Sequence, residues 1–463
     1  MAVDLLAQVL SSGRADPGAP ALVTPEGASW SYASLDERVS AEAERLLDEG
    51  TGAGRVAPFP MEATCDGIVH LLAVWRAGAI PAPLHPALTA FETAGARRRL
   101  EETPSLPGDA QVILWTSGTS GRPRGVALTW AGLVANADAS RRRLDLCSTD
   151  LWLASLSPSH VGGLALLVRA WLLGSAVLAA GRFRADAAWS FLSGSALGSG
   201  AARPVSHASF VPTQLARLLD VAGDAPPPPS LRGVLLGGAR APFELVARAQ
   251  ARGWPLALTY GMTEMTSQVA TSPPGARIPG PGFVGPPLPG VEVTLSVDGE
   301  ILARGPTMAA GYIGEETPLC APDGWYHTGD LGSLDRDGNL WVRGRLDDRI
   351  ITGGVNVDPL EVEEVLRAHP RVSDACVVGV PDDEWGQRVA AWVVPTWEAE
   401  PPDAPTLDEF LREHLTPAKR PRLWAWETHL PRNAMGKTDR AAVVRHFAAA
   451  GGDSGPGTPP HLS

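Results

Sequence analysis

The stretch of sequence that decides the fold is Trp115-Thr116-Ser117-Gly118-Thr119-Ser120-Gly121-Arg122-Pro123-Arg124-Gly125. It follows the apolar run Val112–Leu114, which predicts a buried strand, and it precedes a segment with a helical pattern. Closely spaced hydroxyl groups and glycines let backbone N–H and side-chain O–H groups converge on one anion, and Arg124 adds a positive charge. The spacing of the G-x-x-x-x-G-K-S/T motif is absent, which disfavours a P-loop NTPase. The stretch therefore predicts a phosphate-binding loop of another class.

Around this loop the chain alternates short apolar runs with helical patterns, which favours βαβ units and largely parallel sheets. The predicted strands and helices of this part are Val112–Trp115, Leu151–Leu156, Val205–Val211, Gly233–Leu236, Pro212–Leu219 and Pro242–Arg252. From Gly299 onward short antiparallel strands take over, and a compact α+β pattern follows Asp347. We therefore predict an α/β fold whose large N-terminal domain, residues 1–346, has parallel αβ-layered sheets plus a small β-barrel-like subdomain. A small mobile α+β C-terminal domain over 347–449 and a disordered tail over 450–463 complete the prediction.

Composition and charge limit the classes of function. A chain of 463 residues is longer than a single core supports, and its net charge of −12 disfavours nucleic acids and anionic membranes as partners. The four cysteines are scattered without a C-x-x-C pair, which argues against a disulfide framework or metal cluster and for a reducing compartment. Met1–Gly13 lacks the pattern of a signal peptide, and Val161–Ala180 is too interrupted for a membrane span. The sequence thus predicts a cytoplasmic protein without membrane insertion, and it leaves a homodimer open.

Three further motifs follow the phosphate loop. They are Thr259-Tyr260-Gly261-Met262-Thr263-Glu264, Trp325-Tyr326-His327-Thr328-Gly329-Asp330 followed by Gly344-Arg345, and Pro431-Arg432-Asn433-Ala434-Met435-Gly436-Lys437. Each motif is weak alone, but the set and its order resemble the adenylate-forming superfamily of acyl-CoA synthetases, adenylation domains and beetle luciferases. The resemblance runs from Leu35 to Lys437 and departs from the family at Arg124, where Lys is usual. A forked guanidinium there replaces a point charge, so the phosphate contacts are expected to differ in detail.

The resemblance implies ATP, Mg²⁺ and coenzyme A as cofactors, and a small-molecule carboxylic acid as the substrate. The residues it assigns to the nucleotide are Thr116, Ser117, Gly118, Thr119, Ser120, Gly121 and Arg124 on the phosphates, Gly238 and Ala239 with Tyr260 and Gly261 near adenine, Thr263 on the α-phosphate, and Asp330 with Arg345 on the ribose. Glu264 is expected to hold Mg²⁺, because a carboxylate beside a triphosphate needs a cation against like-charge repulsion. Lys437 is expected to be the catalytic lysine of adenylation, since attack of one anion on another needs a cation.

The same resemblance implies two half-reactions at one carbonyl carbon. The carboxylate first attacks the α-phosphorus and pyrophosphate leaves; the thiol of coenzyme A then attacks the acyl-adenylate and AMP leaves. Between these steps the C-terminal domain is expected to rotate at Asp347, so that Lys437 leaves and the Gly353-Gly354 segment comes beside the pantetheine. A simple turn is the alternative for the two glycines.

The acid pocket is predicted from weaker signals. His160 is expected to gate the pocket or to bind a polar group of the acid, with a structural histidine as the alternative. His207 is expected in a pocket wall, and Ser267 and Gln268 are expected to hold a second carboxylate directly or through water. The run His160-Val161-Gly162-Gly163-Leu164, the ending Ser267-Gln268-Val269-Ala270-Thr271 and the short chain resemble the o-succinylbenzoate–CoA ligases of menaquinone biosynthesis, which implies an aromatic dicarboxylate. Another aryl- or medium-chain acyl-CoA synthetase, and a stand-alone adenylation enzyme that loads a carrier protein, remain open.

Overall fold

The chain is described by a computed structural model over residues 3–103, 105–116, 124–196, 203–396, 400–432 and 438–449. Within these ranges the α-helices, α1 to α12 in chain order, are Leu5–Ser11, Tyr32–Asp48, Cys65–Arg76, Ala90–Glu102, Trp130–Leu144, Val161–Leu172, Ala185–Ser193, Pro212–Ala222, Phe243–Ala251, Pro359–Arg367, Ala404–Arg412 and Arg440–Ala449. The same ranges contain 3₁₀-helices at Thr263–Met265 and Pro417–Lys419.

The strands are numbered β1 to β23 in chain order. They are Pro20–Val23, Ser29–Ser31, Val56–Pro60, Ile80–Leu84, Ala110–Thr116, Arg124–Thr129, Leu151–Ala154, Ala176–Ala179, His207–Phe210, Gly233–Leu236, Leu256–Met262, Ser267–Thr271, Phe283–Gly285, Glu292–Leu295, Glu300–Arg304, Gly311–Tyr312, Tyr326–Leu334, Leu340–Arg345, Ile350–Thr352, Val355–Val357, Val372–Asp382, Gly386–Pro395 and Leu423–Trp426. The smaller sheets have the orders β13-β18-β17-β15-β14, β16-β6-β5, β20-β19-β22-β21 with β23 beside β22, and β3-β4.

An eight-stranded sheet in the order β12-β11-β10-β9-β7-β8-β1-β2 frames the first part of the chain. Its strands are parallel except at the two edges, where β2 and β12 pair antiparallel with their neighbours. Strands β7 to β10 are buried along their whole length, as is usual when helices cover both faces of a sheet. Along β7, Trp152 and Ala154 enter one apolar cluster, while Leu151 and Leu153 enter another. The predicted α/β fold with largely parallel strands is confirmed.

The segment directly after the phosphate loop differs from the prediction. Instead of entering a helix, the chain forms β6, which pairs antiparallel with β5 and places Arg124 opposite Thr116. The reason is the alternation of its apolar residues, because Val126 and Leu128 enter one core cluster and Ala127 enters another, which is the period of a strand. Helix α5 begins only after β6 ends. The strands on either side of the loop are therefore antiparallel, and the described residues Arg124–Thr129 form a strand where the sequence predicts a helix.

The described part of the chain divides into two compact units. One unit consists of the residues up to Thr294 with Leu302–His327 and Leu334–Trp341, and the other of Leu295–Ile301, Thr328–Ser333 and the residues from Val342 onward. The second unit has a core of its own, where β21 and β22 pair antiparallel, β23 runs parallel to β22, and α10 and α11 cover the sheet. None of the described helices combines the length and the hydropathy needed to cross a lipid bilayer.

Candidate active site

The carboxyl edge of the large sheet carries the predicted adenine strip. In open α/β sheets, ligands bind outside the carboxyl ends of the parallel strands. Gly237 directly follows β10 and has no room for a side chain, since a Cβ there would lie 2.4 Å from Thr259 Cγ2. Gly238 has a φ of +77° and is exposed, as is Ala239. Tyr260 on the neighbouring strand is partly exposed. Together they leave a bare strip of backbone on which a planar ring fits.

A strained turn joins β11 to β12 and carries Thr263 and Glu264. Gly261 lets the two strands approach, because a Cβ there would lie 1.9 Å from the carbonyl oxygen of Ser267. After one turn of 3₁₀-helix, Thr266 and Ser267 have φ values of +51° and +104°, a region that residues other than glycine rarely occupy. Such strain persists only where the surrounding structure fixes the segment, and it is common at functional sites. The turn leaves Thr263 and Glu264 partly exposed.

Glu264 belongs to a cluster that no sequence motif predicted. Tyr312 donates a hydrogen bond from its hydroxyl to Glu264 Oε1 at 2.9 Å, and the hydroxyl of Tyr326 lies 3.4 Å from that of Tyr312. Burial, and next the negative charge of Glu264, raise the pKa of Tyr312 to about 12, so its phenol remains a donor at neutral pH. The Arg124 guanidinium stacks 3.3 Å from the centroid of the Tyr312 ring and pairs with Glu315 through Nε at 2.8 Å and Nη2 at 2.5 Å. Because Tyr312 lies 48 residues from Glu264, no local pattern marks this contact.

Glu264 fits the carboxylate of a magnesium site that a triphosphate completes. In the ranges that the structure describes, no group of three or more His, Cys, Asp or Glu side chains could hold a metal ion by itself. Mg²⁺ in nucleotide sites commonly takes one or two carboxylates, with phosphate oxygens and waters as its other ligands. The hydrogen bond from Tyr312 is the kind of outer support that a metal-binding carboxylate receives. The residues present therefore fit the ion.

The second unit brings the two predicted ribose residues into contact. Arg345 Nη1 lies 3.1 Å from Asp330 Oδ1, and the Asp330 side chain is 14% exposed. Gly329 has a φ of +69°, and a Cβ there would lie 3.0 Å from Arg345 Nη2. Its N–H donates to Glu300 Oε1 at 2.8 Å, and its carbonyl accepts from Leu346 N at 2.7 Å. These contacts hold a carboxylate and a guanidinium side by side, although the residues are separated by 15 positions in the chain.

The Gly353-Gly354 pair forms the two-residue turn of a hairpin. It joins β19 to β20, with Thr352 opposite Val355, and its φ values are +55° and +77°. Two positive φ values in a two-residue hairpin loop favour Gly, Asn or Asp at the first position and Gly at the second. Gly353 is further restricted by Trp385, because a Cβ would lie 2.8 Å from Trp385 Cε3. The turn alone accounts for the glycines, so their predicted role beside coenzyme A stays a prediction. The same holds for the hinge at Asp347, which lies in the turn before β19.

His160 lies at the edge where the parallel strands end. It follows β7, is the N-cap residue of α6 and is partly exposed. Its ring centroid is 5.1 Å from that of His85, a residue that the sequence did not single out. Burial lowers the pKa of His85, which favours its neutral form at neutral pH. Two imidazoles therefore meet at the place where the sequence predicts the acid.

His207 is not in a pocket wall, and that prediction is wrong. It is the first residue of β9, at the amino end of the parallel strands, and thus at the edge opposite Gly237. Its side chain is 1% exposed and its ring stacks on Trp152, with the centroids 4.8 Å apart. His207 Nδ1 lies 2.9 Å from Ser206 Oγ, which donates to Asp150 Oδ1 at 3.0 Å. His207 is a core residue.

Gln268 is likewise removed from contact with an acid. Its side chain is 1% exposed, Oε1 accepts from Ser140 Oγ and Arg169 Nη1, each at 2.7 Å, and Nε2 donates to Thr271 Oγ1 at 2.8 Å. Burial lowers the pKa of Arg169 to about 10, which leaves it charged at neutral pH. The predicted contact of Gln268 with a carboxylate is wrong, because its amide is used inside the core. Ser267 is 8% exposed, and its role stays a prediction.

Part of the predicted site lies outside the described residues. These residues are Ser117, Gly118, Thr119, Ser120, Gly121 and Lys437. Their roles stay predictions. Thr116 and Arg124, which flank the phosphate loop, are described, and Thr116 Oγ1 donates to the carbonyl oxygen of Arg124 at 3.4 Å.

Comparison with known proteins adds relatives over most of the chain. The AMP-binding enzyme family matches residues 10–101 and 92–313, and the AMP-binding enzyme C-terminal domain matches residues 361–437. The 2-succinylbenzoate–CoA ligase of Bacillus thuringiensis subsp. konkukian (strain 97-27) is 39% identical over 340 residues, which are 71% of this chain and 68% of that protein. The ligase of the same name from Bacillus mycoides (strain KBAB4) is 38% identical over 340 residues, with the same coverage of 71% and 68%.

Solved structures agree with these relatives. The o-succinylbenzoate CoA synthetase of Bacillus subtilis, in complex with its acyl-adenylate intermediate, is 27% identical with a TM-score of 0.83, and the match covers 98% of this chain and 99% of that one. The ATP-bound MatB of Rhodopseudomonas palustris is 25% identical with a TM-score of 0.83, over 96% of this chain and 99% of that one. The chain therefore belongs to the AMP-binding enzyme family and has the two-domain α/β fold of its acid–CoA ligases.

Proposed function

We propose that this chain is an AMP-forming acid–CoA ligase that converts 2-succinylbenzoate into its coenzyme A thioester through an acyl-adenylate. The observation that carries the proposal is that Glu264, which accepts a hydrogen bond from Tyr312, and the bare Gly237-Gly238 strip follow the neighbouring parallel strands β11 and β10 at their carboxyl ends. The choice of acid is supported by relatives that are 38–39% identical and carry the name 2-succinylbenzoate–CoA ligase.

In the first half-reaction the carboxylate of the acid attacks the α-phosphorus of ATP, and pyrophosphate leaves. Gly238 and Ala239 support the adenine, and Thr263 donates a hydrogen bond to the α-phosphate. Lys437 contributes a positive charge that binds more strongly as negative charge moves onto the pyrophosphate. Mg²⁺, held through Glu264 and the phosphates, would neutralise charge on the triphosphate.

In the second half-reaction the thiol of coenzyme A attacks the acyl carbon, and AMP leaves. We place the boundary between the N-terminal and C-terminal domains at residues 346 and 347, so that Asp347 is the hinge. Asp330 and Arg345 hold the ribose of the adenylate through both steps, since a carboxylate accepts hydrogen bonds from two hydroxyl groups. The Gly353-Gly354 turn offers a side-chain-free backbone to the pantetheine.

We place the acid at the His160–His85 pair. Both imidazoles lie beyond strand ends, and their centroids are 5.1 Å apart. An aromatic ring packs favourably against such rings, and a ring nitrogen can bind a carboxylate or keto oxygen. Ser267 remains our candidate for the second carboxylate, because the strained backbone after Thr266 fixes its position.

The proposal is tested by pyrophosphate and AMP release from ATP, Mg²⁺ and coenzyme A with 2-succinylbenzoate, benzoate, coumarate and octanoate, and Lys437→Ala as the control. We expect turnover with 2-succinylbenzoate to exceed the others, and to be lost in the variant. If another acid has a kcat/KM about tenfold higher, a difference of about 1.4 kcal/mol, the choice of acid is wrong while the ligase chemistry stands. Pyrophosphate exchange without transfer to coenzyme A would favour loading of a carrier protein.

The proposal includes a cytoplasmic location. Its support is the set of four cysteines, which are free thiols, as expected of a reducing compartment. A homodimer is the assembly to test first, by light scattering of the purified protein.

A further inference from the structure

Strand pairing places Arg124 and Tyr312 on one face of a small sheet. In the register of β6 and β16, Tyr312 lies opposite Val126. Arg124 precedes Val126 by two positions, so it is the diagonal neighbour of Tyr312 on the same face. The segment before β16 is also bonded to the turn between β11 and β12, because the carbonyl oxygen of Glu264 accepts a hydrogen bond from Ala309 N at 2.8 Å. The backbone thus brings three separate segments together behind the Glu264 carboxylate.

Each side chain of this group is held by the next. Glu315 accepts two hydrogen bonds from Arg124 in a forked pair, which fixes the plane of the guanidinium. The guanidinium carbon of Arg124 lies over the Tyr312 ring, 3.3 Å from its centroid. The ring in turn aims its hydroxyl at Glu264 Oε1, at 2.9 Å. A lysine at position 124 could not give both the fork and the stack, because its ammonium is a compact point charge on a flexible stem.

We infer that Tyr312 is a positioning residue for nucleotide-bound Mg²⁺, and that Arg124, clamped by Glu315, orients the Tyr312 ring. The hydroxyl of Tyr312 fixes one oxygen of Glu264, and the other oxygen would bind the metal ion. Arg124 acts on the nucleotide through this chain of contacts, since its charge is already matched by Glu315. The inference rests on the proposed function only in assigning the metal to Glu264.

The test measures ATP binding by calorimetry, once with EDTA and once with excess Mg²⁺, with neither acid nor coenzyme A present. The ratio of the two dissociation constants is the Mg²⁺ enhancement. We expect Tyr312→Phe, which keeps the ring and removes the donor, to lower this enhancement about 10-fold, as loss of an outer-shell partner commonly does. Binding of metal-free ATP is expected to stay unchanged. Glu315→Gln and Arg124→Lys should each reduce the enhancement by a smaller factor.

Two matched variants separate the possible results. Tyr32→Phe also removes a buried phenol hydroxyl, which donates to the carbonyl oxygen of Ser175 at 2.7 Å, and it should lower the unfolding temperature without changing the enhancement. Glu264→Gln should abolish most of the enhancement. If Glu264→Gln lowers it and Tyr312→Phe does not, the inference is overturned and the metal assignment stands. If neither variant lowers the Mg²⁺ enhancement, both the role of Tyr312 and the assignment of the metal to Glu264 are refuted. If Arg124→Lys weakens ATP binding equally with EDTA and with Mg²⁺, Arg124 contacts the phosphates directly and its positioning role is refuted.

Discussion

The first unit contains two polar clusters with similar components. One is centred on Glu264 and the other on Gln268, four positions later in the chain. Around Glu264, Arg124 stacks on Tyr312, with its guanidinium carbon 3.3 Å from the ring centroid. Around Gln268, Arg169 stacks on Trp152, at 4.6 Å. The difference is exposure, because the Arg124 side chain is 37% exposed and pairs with a carboxylate, whereas Arg169 is 1% exposed and bonds to an amide. Similar chemistry therefore serves two different purposes.

The buried cluster stabilises the fold, and the exposed one is available for chemistry. In the Gln268 cluster the amide is bonded to Ser140, Arg169 and Thr271, so its groups cannot turn toward a ligand without breaking buried hydrogen bonds. In the Glu264 cluster the hydrogen bond from Tyr312 holds a partly exposed carboxylate without enclosing it. Substitutions in the two clusters should accordingly affect different quantities.

The largest effect is expected from Glu264→Gln. This change keeps the volume of the side chain and an acceptor for Tyr312 but removes the negative charge that a metal ion needs. We expect kcat/KM for pyrophosphate release to fall about 10²–10³-fold, the scale seen when one preorganised electrostatic group is removed. Stability should change by about 0.5 kcal/mol or less, as for a surface substitution. Initial rates and urea unfolding measure the two quantities, and a large loss of stability with normal kinetics would reverse the roles of the clusters.

The next effect is expected from Gln268→Leu, and it should appear in stability. Ser140, Arg169 and Thr271 would each lose a buried partner, and an unsatisfied buried group costs about 1–3 kcal/mol, so we expect a loss of about 3 kcal/mol or more. The control is Gln250→Leu, which removes a single hydrogen bond to the carbonyl oxygen of Ala276 and should cost about 1 kcal/mol. Urea unfolding gives the free energy of unfolding of both variants. If stability is unchanged and the KM for the acid rises, Gln268 contacts the acid and is not a core residue.

Two local features of the predicted site, a glycine turn and a carboxylate–guanidinium pair, could be located from sequence because their partners are close in the chain, while the roles assigned to them stay predictions. The Gly353-Gly354 turn connects adjacent strands, and Asp330 meets Arg345 within two neighbouring strands. Short motifs of this kind specify both the functional residue and the local structure around it. Tyr312 could not be predicted in the same way, because its partner Glu264 lies 48 residues away and depends on the pairing of β6 with β16.

The errors on the acid side have a common cause. Period and hydropathy show that a residue belongs to a strand, but not which end of the strand faces the site or which distant side chain it meets. His207 begins β9 and so lies at the amino edge, a position that the direction of the strand would have indicated. Gln268 is paired with Arg169 from 99 positions away, which no local pattern reveals. The sequence predicts a helix directly after Arg124 because β6 has only six residues and its buried residues form a continuous run without exposed residues at alternate positions.

A third cluster, around Asp150, should give the smallest effect and one that depends on pH. Burial acts to raise the pKa of Asp150, but hydrogen bonds from His207, Cys147 N and Ser206 outweigh it, and the pKa lies well below its usual range. Because the folded pKa is depressed, this stabilisation is complete above the unfolded pKa of about 4 and is lost as the pH falls from there through the folded pKa. Asp150→Asn should therefore cost about 2 kcal/mol at pH 7, the scale of a hydrogen bond to a charged group, and less at pH 3. Urea unfolding at both pH values, with the exposed Asp186→Asn as control, measures the difference. An equal cost at both would mean that the carboxylate's shape, and not its charge, holds this buried cluster together.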